Sequence, residues 1–290
     1  MTQRMESRSP LLLPAIVFLL VIGMIEGVIL AYKGSLEAEQ RLQAVAFGTD
    51  VRSRAERELT SVLNLTSGLA SYFPVAVRRD SLERDEVLDI LAVAYETSPM
   101  VRNFGVALGY ELTYVYPPEG NEEAIGLDYR ELEAQWPAVQ RAIEEQRPVL
   151  SEKVPLVQGG EGFIYRKPIY IDGKFWGLLS TVIDAQPLLE AMFAQGNRSD
   201  TPFEFAVRST NEQSSLLLWG PDALFDDPES VIIYSDRGWE YAVKRANVDS
   251  HWLPIFILRI LGWVLALVLG LVTYSALLHR SVARQSVPGQ

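Results

Sequence analysis

Two long apolar runs lie near the ends of the chain. Leu11–Tyr32 contains a single charged residue, Glu26, and Leu253–Leu278 contains a single one, Arg259. At about 1.5 Å per helical residue, each run is long enough to cross a hydrocarbon core about 30 Å thick. We therefore predict two transmembrane helices, at 11–32 and 253–278.

The residues that flank these runs predict their orientation. Arginines precede the first run and follow the second, at Arg4, Arg8, Arg280 and Arg284. Short segments rich in Lys and Arg stay in the cytoplasm. We therefore predict that 1–10 and 279–290 are cytoplasmic and that the segment between the runs is periplasmic, in a bacterial inner membrane. The first run lacks a small-x-small site at its end, which favours an uncleaved anchor over a signal peptide.

The segment after the first run has the pattern of one long helix. No proline occurs between Lys33 and Pro74, and apolar residues recur at helical spacing, among them Leu36, Leu42, Val45, Leu59, Val62, Leu63 and Leu69. We predict a stalk helix over 33–75 that continues the first span. Its apolar stripe fits either a second copy of the chain, which would give a homodimer, or the chain's own domain.

Runs rich in β-branched and aromatic residues predict strands further along. Asp172-Gly173 separates two such runs, and Asp-Gly between them indicates a β-hairpin. Other strands are expected at Val101–Leu108, Leu112–Tyr116, Phe203–Arg208, Leu216–Trp219, Val231–Tyr234 and Trp239–Ala246. The order of helices and strands predicts an α+β fold with antiparallel sheets, the second sheet being smaller and close to the second span.

Charge and composition exclude several functional classes. Residues 33–252 contain 21 of the 26 Lys and Arg residues and 35 of the 37 Asp and Glu residues, an excess of 14 negative charges. Nucleic acid is therefore excluded as a partner, because phosphate binding needs clustered Lys and Arg. The chain has no cysteine, and its histidines, His251 and His279, lie beside or beyond the second span. We predict no enzyme, no metal and no cofactor.

Several ordered motifs occur between Ala70 and Asp184. They are Tyr114-Val-Tyr-Pro-Pro-Glu-Gly-Asn121, Ile125-Gly-Leu-Asp128, Pro148-Val-Leu-Ser151, Pro155-Leu-Val-Gln-Gly-Gly160, Gly162-Phe-Ile, Pro168-Ile-Tyr, Phe175-Trp-Gly-Leu and Val182-Ile-Asp184. Together they resemble the CHASE domain, the extracellular sensory module of bacterial signalling proteins and of plant cytokinin-receptor kinases.

The resemblance implies a domain organisation and a function. Two PAS-like modules would lie on the stalk helix, a membrane-distal one at 76–196 and a membrane-proximal one at 197–252, with a small ligand in the distal module. Such domains pass their signal to a cytoplasmic output domain, such as a histidine kinase or a diguanylate cyclase. In this sequence only twelve residues follow Leu278. We predict either that the chain is shortened or that it is a sensor subunit whose conformation is detected by a separate membrane signalling protein. The alternative is an envelope scaffold whose PAS-like fold docks a membrane partner.

Seven residues are candidate ligand contacts. The family pattern implies Asp128 as a polar anchor, Leu150 as an apolar wall and Gln158 near the glycine turn. Aromatic and polar strand residues of the kind that line small-molecule sites are added from chemistry alone: Tyr114, Tyr116, Phe163 and Arg166. Core packing or a solvated strand position is the alternative for these four, and helix capping is the alternative for Asp128.

The two charges inside the apolar runs form a second candidate site. Glu26 lies six residues before Tyr32, and Arg259 lies six residues after Leu253. Because the two runs have opposite directions, both charges lie about 9 Å below the outer boundary. Ionisable residues within spans are costly, so we predict a Glu26–Arg259 ion pair within or between protomers. The alternative is that each side chain reaches the membrane surface separately.

Overall fold

A computed structural model describes residues 11–156, 159–194, 196, 201–210, 215–246 and 252–285. The chain divides into two compact units. One unit contains the chain ends, up to Ala44 and from Arg245 onward, and the other contains Val45–Lys244. Both sheets described below lie within the second unit, and the predicted boundary between two modules near residue 197 stays a prediction.

The chain forms six α-helices and ten strands within the described residues. The helices are α1 (Leu12–Ala70), α2 (Tyr72–Arg78), α3 (Arg84–Glu96), α4 (Trp136–Glu144), α5 (Ala185–Phe193) and α6 (Trp252–Gln285). The strands are β1 (Val101–Leu108), β2 (Glu111–Tyr116), β3 (Val149–Leu150), β4 (Val154–Pro155), β5 (Glu161–Ile171), β6 (Lys174–Asp184), β7 (Phe203–Thr210), β8 (Ser215–Trp219), β9 (Val231–Tyr234) and β10 (Trp239–Arg245).

Helix α1 confirms the predicted long N-terminal helix. Pro14 lies in its first turn, where a missing backbone N–H costs nothing, and no further proline occurs before Pro74. Pro74 in turn lies in the first turn of α2. The chain therefore stays helical from Leu12 to Ala70 because nothing in that stretch removes a helical hydrogen bond.

The first sheet has the strand order β2-β1-β6-β5-β3, with β4 also paired to β5, and every pairing is antiparallel. The predicted hairpin is confirmed as β5 and β6. Its turn residues Asp172 and Gly173 have φ values of 49° and 77°, the left-handed conformation that a two-residue hairpin turn requires. The register places Arg166 opposite Ser180, and Ser180 opposite Gly105.

The two faces of this sheet have different coverings. Helix α1 packs on one face, where the hydroxyls of Thr66 and Thr181 lie 2.7 Å apart and are both buried. The other face is covered by residues 124–144, which include α4. A hydrophobic cluster joins the covering segment to the sheet, with Tyr129 and Val139 packed near Ala107 and Leu178.

The second sheet has the order β8-β7-β10-β9. Its core is aromatic: Phe193 contacts the rings of Phe205, Trp219 and Tyr241 at centroid distances of 6.0, 5.8 and 6.2 Å. Helix α1 approaches it at Gly48, where an added Cβ would lie 2.5 Å from Ile233. The prediction of an α+β fold with two antiparallel sheets is thus confirmed.

The other unit contains the first part of α1 and α6, two helices that are long and apolar enough to cross a membrane. They pack side by side in opposite directions. Gly262 lies against Ile25, and Gly270 lies against Pro14 and Phe18. Glycine at these two positions of α6 leaves room for the side chains of α1.

Candidate functional site

A small cavity lies between the first sheet and the segment that covers it. Its volume is about 60 Å³, and nine of its lining residues are apolar or glycine. The polar lining residues are Asn103, Tyr129, Gln135, Arg166 and Ser180. A cavity of this size holds more than one water-sized group. It suits a small molecule rather than a peptide.

Strand alternation brings these side chains to one face. Residues two apart on a strand point the same way, so Asn103 and Gly105 on β1 share a face with the register partners Arg166 and Ser180. An added Cβ at Gly105 would lie 2.8 Å from Leu112, so glycine here lets Leu112 close the cavity wall. The sheet thus supplies a fixed floor, and the covering segment adds Tyr129 and Gln135.

Arg166 is the dominant charge at the site, with 1% of its surface exposed. Its Nη2 donates a 2.6 Å hydrogen bond to Oε1 of Gln135, and its guanidinium carbon lies 5.9 Å from the centre of the Tyr129 ring. Its Nε is buried without a hydrogen-bond partner, and no carboxylate pairs with it among the residues that the structure describes. Burial lowers the pKa of Arg166 from its ordinary value. Arginine nonetheless stays protonated in proteins.

The remaining polar groups of the cavity are neutral and mostly paired. The hydroxyls of Tyr129 and Ser180 lie 2.9 Å apart, and burial raises the pKa of Tyr129, which keeps the phenol protonated. Nδ2 of Asn103 donates to Oδ1 of Asn121 at 2.7 Å. The cavity can therefore hold an anionic group near Arg166 and offer neutral hydrogen-bonding groups around it.

Of the seven predicted contact residues, Arg166 lines the cavity. By strand register, four others belong to the opposite face of the first sheet: Leu150, Phe163, Tyr114 and Tyr116. Two of these residues make ring contacts with other aromatic side chains: Tyr116 packs against Tyr95, and Phe163 packs against Trp239. Gln158 lies outside the described residues.

Asp128 lies in the covering segment next to the lining residue Leu127. Its carboxylate accepts the backbone N–H of Arg130 at 2.8 Å and the side-chain Nε of Arg130 at 2.9 Å, and so begins the helical turn Tyr129–Glu131. These bonds to Arg130 lower the pKa of Asp128 to about 2. Asp128 therefore fixes the turn that carries Tyr129 into the cavity.

We expect the side-chain carboxyl carbon of Asp128 to titrate with a midpoint near 2 in a pH series followed by NMR. Because the folded pKa is lowered, the stabilisation by this carboxylate is complete above its ordinary pKa of 3.8 and is lost as the pH falls through about 2. In Arg130→Gln the midpoint should return toward the ordinary value. An unchanged midpoint in this variant would contradict the assigned cause.

The sequence patterns missed Asn103, Tyr129, Gln135 and Ser180. A signal existed for Ser180, which follows from the β5–β6 hairpin register once Arg166 is chosen. Tyr129 and Gln135 carry no such signal, because they reach the cavity only through the fold of the covering segment.

The second candidate site lies in the unit formed by the two apolar helices. Nε of Arg259 donates to Oε1 of Glu26 at 2.7 Å, and Nη2 donates to Oε2 at 2.7 Å. The structure thus brings the two predicted residues together within one chain, in the two-pronged geometry that an arginine and a carboxylate prefer.

The fold is similar to those of several solved ligand-binding domains. No curated protein matches the sequence significantly. Among solved structures, the sensory domain of the Campylobacter jejuni chemoreceptor Tlp3 with isoleucine bound has a TM-score of 0.54 and 13% identity, covering 74% of this chain and 96% of that one. The ligand-binding domain of the Pseudomonas aeruginosa amino acid chemoreceptor PctC in complex with GABA has a TM-score of 0.50 and 15% identity, covering 71% and 98%.

A third similar structure is an extracellular ligand binding receptor from Desulfohalobium retbaense. It has a TM-score of 0.50 and 16% identity, and the match covers 69% of this chain but 40% of that receptor. At identities this low, the likeness concerns the fold alone.

A family match identifies the part of the chain that contains the cavity. Residues 76–219 match the CHASE domain. This range includes the whole first sheet, every residue that lines the cavity, and strands β7 and β8. The chain therefore carries a CHASE domain at residues 76–219, as its sequence motifs predicted.

Proposed function

We propose that this protein is a membrane-anchored sensor that binds a small molecule in the cavity beneath the first sheet. The observation that carries the proposal is the buried Arg166, which lines the cavity and whose Nε has no hydrogen-bond partner among the described residues. A charge in a low-dielectric site is stabilised by a partner that accepts its hydrogen bonds. A bound ligand would supply that acceptor.

The surroundings of the cavity support a sensory role. The family is a sensory module, and the structurally similar domains come from chemoreceptors. The two apolar helices support membrane anchoring, and the basic flanks favour cytoplasmic ends with a periplasmic domain. We propose that the signal passes through α1 and α6 to a separate membrane signalling protein, a histidine kinase or a diguanylate cyclase, from a homodimer or from a mixed complex. A ligand shifts such a protein only by its different affinities for two conformations.

The test is thermal unfolding of the full-length protein in lipid nanodiscs, with a panel of small metabolites. A compound present at 100 times its dissociation constant should stabilise the protein by about 2.7 kcal/mol, which is a shift of several degrees. Ala124→Leu should abolish the shift, because Ala124 lines the cavity and the larger side chain fills it.

The matched control is Ala134→Leu, the same change at an exposed position of the same segment. It should keep the full response. If no compound of the panel stabilises the protein, the result would contradict ligand sensing and favour the alternative role as a scaffold that docks a membrane partner. An undiminished response in Ala124→Leu would show that the ligand binds elsewhere.

A further inference from the structure

Among the residues that the structure describes, the lining of the cavity carries one formal charge, the positive charge of Arg166. The other four polar side chains, Asn103, Tyr129, Gln135 and Ser180, are neutral, and the rest of the lining is apolar. A ligand in this cavity therefore meets a fixed cation inside a low-dielectric wall. Electrostatic interactions are strong in such surroundings, so a single negative charge is the complement that offsets the buried guanidinium.

The geometry of Arg166 narrows the type of anion. Nη2 donates one of its two hydrogens to Gln135, and Nε is buried and unpaired among the described residues. A planar guanidinium matches the two oxygens of a carboxylate. Ser180 lies opposite Arg166 on the neighbouring strand and has its hydroxyl 2.9 Å from that of Tyr129, so a hydroxyl pair is also within the lining. The volume of about 60 Å³ favours a small molecule.

An ammonium group on the ligand would meet unfavourable surroundings. Its positive charge would share a small cavity with Arg166, and like charges in low dielectric repel strongly. The side-chain acceptors in the described part of the lining are the neutral oxygens of Asn103, Gln135, Tyr129 and Ser180, and Oε1 of Gln135 is already bound to Arg166. Neutral oxygens offset a buried cation far less than a carboxylate does.

We infer that the cavity takes a short monocarboxylate without an ammonium group, such as a simple acid or a 2-hydroxy acid, in preference to an amino acid. The inference rests on the proposed function, since it names the class of ligand for the same cavity. It separates this chain from the amino acid chemoreceptors that share its fold.

Four probes of matched size test the ligand class on full-length protein in nanodiscs at pH 7, by calorimetry and thermal unfolding. Propionate carries a negative charge that propionamide lacks. Lactate has a hydroxyl group where L-alanine has an ammonium group. Propionate and lactate should bind at least tenfold more tightly than propionamide and alanine. Alanine binding as tightly as lactate, or propionamide as tightly as propionate, would overturn the inference.

The remaining outcomes separate this inference from the proposed function. If none of the four probes binds and another compound of the metabolite panel stabilises the protein, the inferred ligand class is wrong and the sensor role stands. If nothing stabilises the protein, both are wrong.

A charge variant tests the role of Arg166 without removing it. Gln135→Glu places a carboxylate where Oε1 of Gln135 now lies, 2.6 Å from Nη2 of Arg166. The protein then neutralises its own guanidinium, so propionate affinity should fall at least tenfold while the unfolding temperature without ligand rises. Gln140→Glu is the matched control: it makes the same change at an exposed position of α4 and should leave the affinity unchanged. Wild-type affinity in Gln135→Glu would overturn the inference.

Discussion

Replacing Gly177 by alanine should lower the free energy of unfolding by about 3 kcal/mol or more. A Cβ at this position would lie 2.1 Å from the carbonyl oxygen of Ala107 on the neighbouring strand β1. The obstacle is backbone, which cannot move aside as a flexible side chain can. Relief requires β1 and β6 to separate, and the adjacent hydrogen bond from Gly109 N to Trp176 O, at 2.9 Å, would be lost with them.

The matched control for Gly177→Ala is Gly68→Ala on helix α1. No atom lies within 4 Å of an added Cβ at Gly68, and alanine is favoured over glycine in a helix by about 0.8–1.0 kcal/mol. The same added methyl group should therefore stabilise the protein at Gly68 and destabilise it at Gly177. Thermal unfolding of both full-length variants, followed by tryptophan fluorescence, gives the comparison. Similar unfolding temperatures in the two variants would contradict the steric argument.

The secondary structure was largely predictable because its signals are local. Helix α1 follows from a proline-free, periodic stretch, and the β5–β6 hairpin follows from Asp172-Gly173 between two β-rich runs. In both cases the residues that determine the element lie within it. The motifs that predicted the CHASE domain likewise lie along one continuous part of the chain.

The cavity was less predictable because it depends on contacts between distant parts of the sequence. Tyr129 meets Ser180 across 51 residues, and Gln135 meets Arg166 across 31. The aromatic candidate Phe163 shows the difficulty: strand alternation gives two faces, and the sequence does not say which face α1 covers. Arg166 was accessible to prediction because polar strand residues of this kind are typical of small-molecule sites.

The pair Glu26 and Arg259 was predictable for an energetic reason. A charged residue within a membrane helix is costly, up to about 2.5–3.5 kcal/mol at the helix centre on insertion scales, so two opposite charges at equal depth favour each other. The structure adds the packing that accompanies the pair, with Gly262 against Ile25 and Gly270 against Phe18. As the residue number rises along α1 it falls along α6, so all these contacts belong to one antiparallel register.

Reversing the charge of Glu26 alone should disrupt this register, and reversing both charges should restore it. The chain has no cysteine, so an introduced pair reports on the register without background. A Cβ on Gly270 would lie 3.7 Å from the Cβ of Phe18, within the usual range of about 3.5–4.5 Å for a disulfide. Phe18→Cys with Gly270→Cys should therefore crosslink within one chain in native membranes treated with an oxidant.

In this background Glu26→Arg leaves two arginines facing each other in the span, and their repulsion and desolvation should reduce the crosslink severalfold. Adding Arg259→Glu recreates the pair with its charges exchanged and should return the yield close to the starting value. Phe18→Cys with Leu271→Cys is the control for random collision, because Leu271 is 59% exposed on α6. A double reversal that crosslinks no better than the single one would show that packing at the glycines, rather than the ion pair, fixes the register of the two helices.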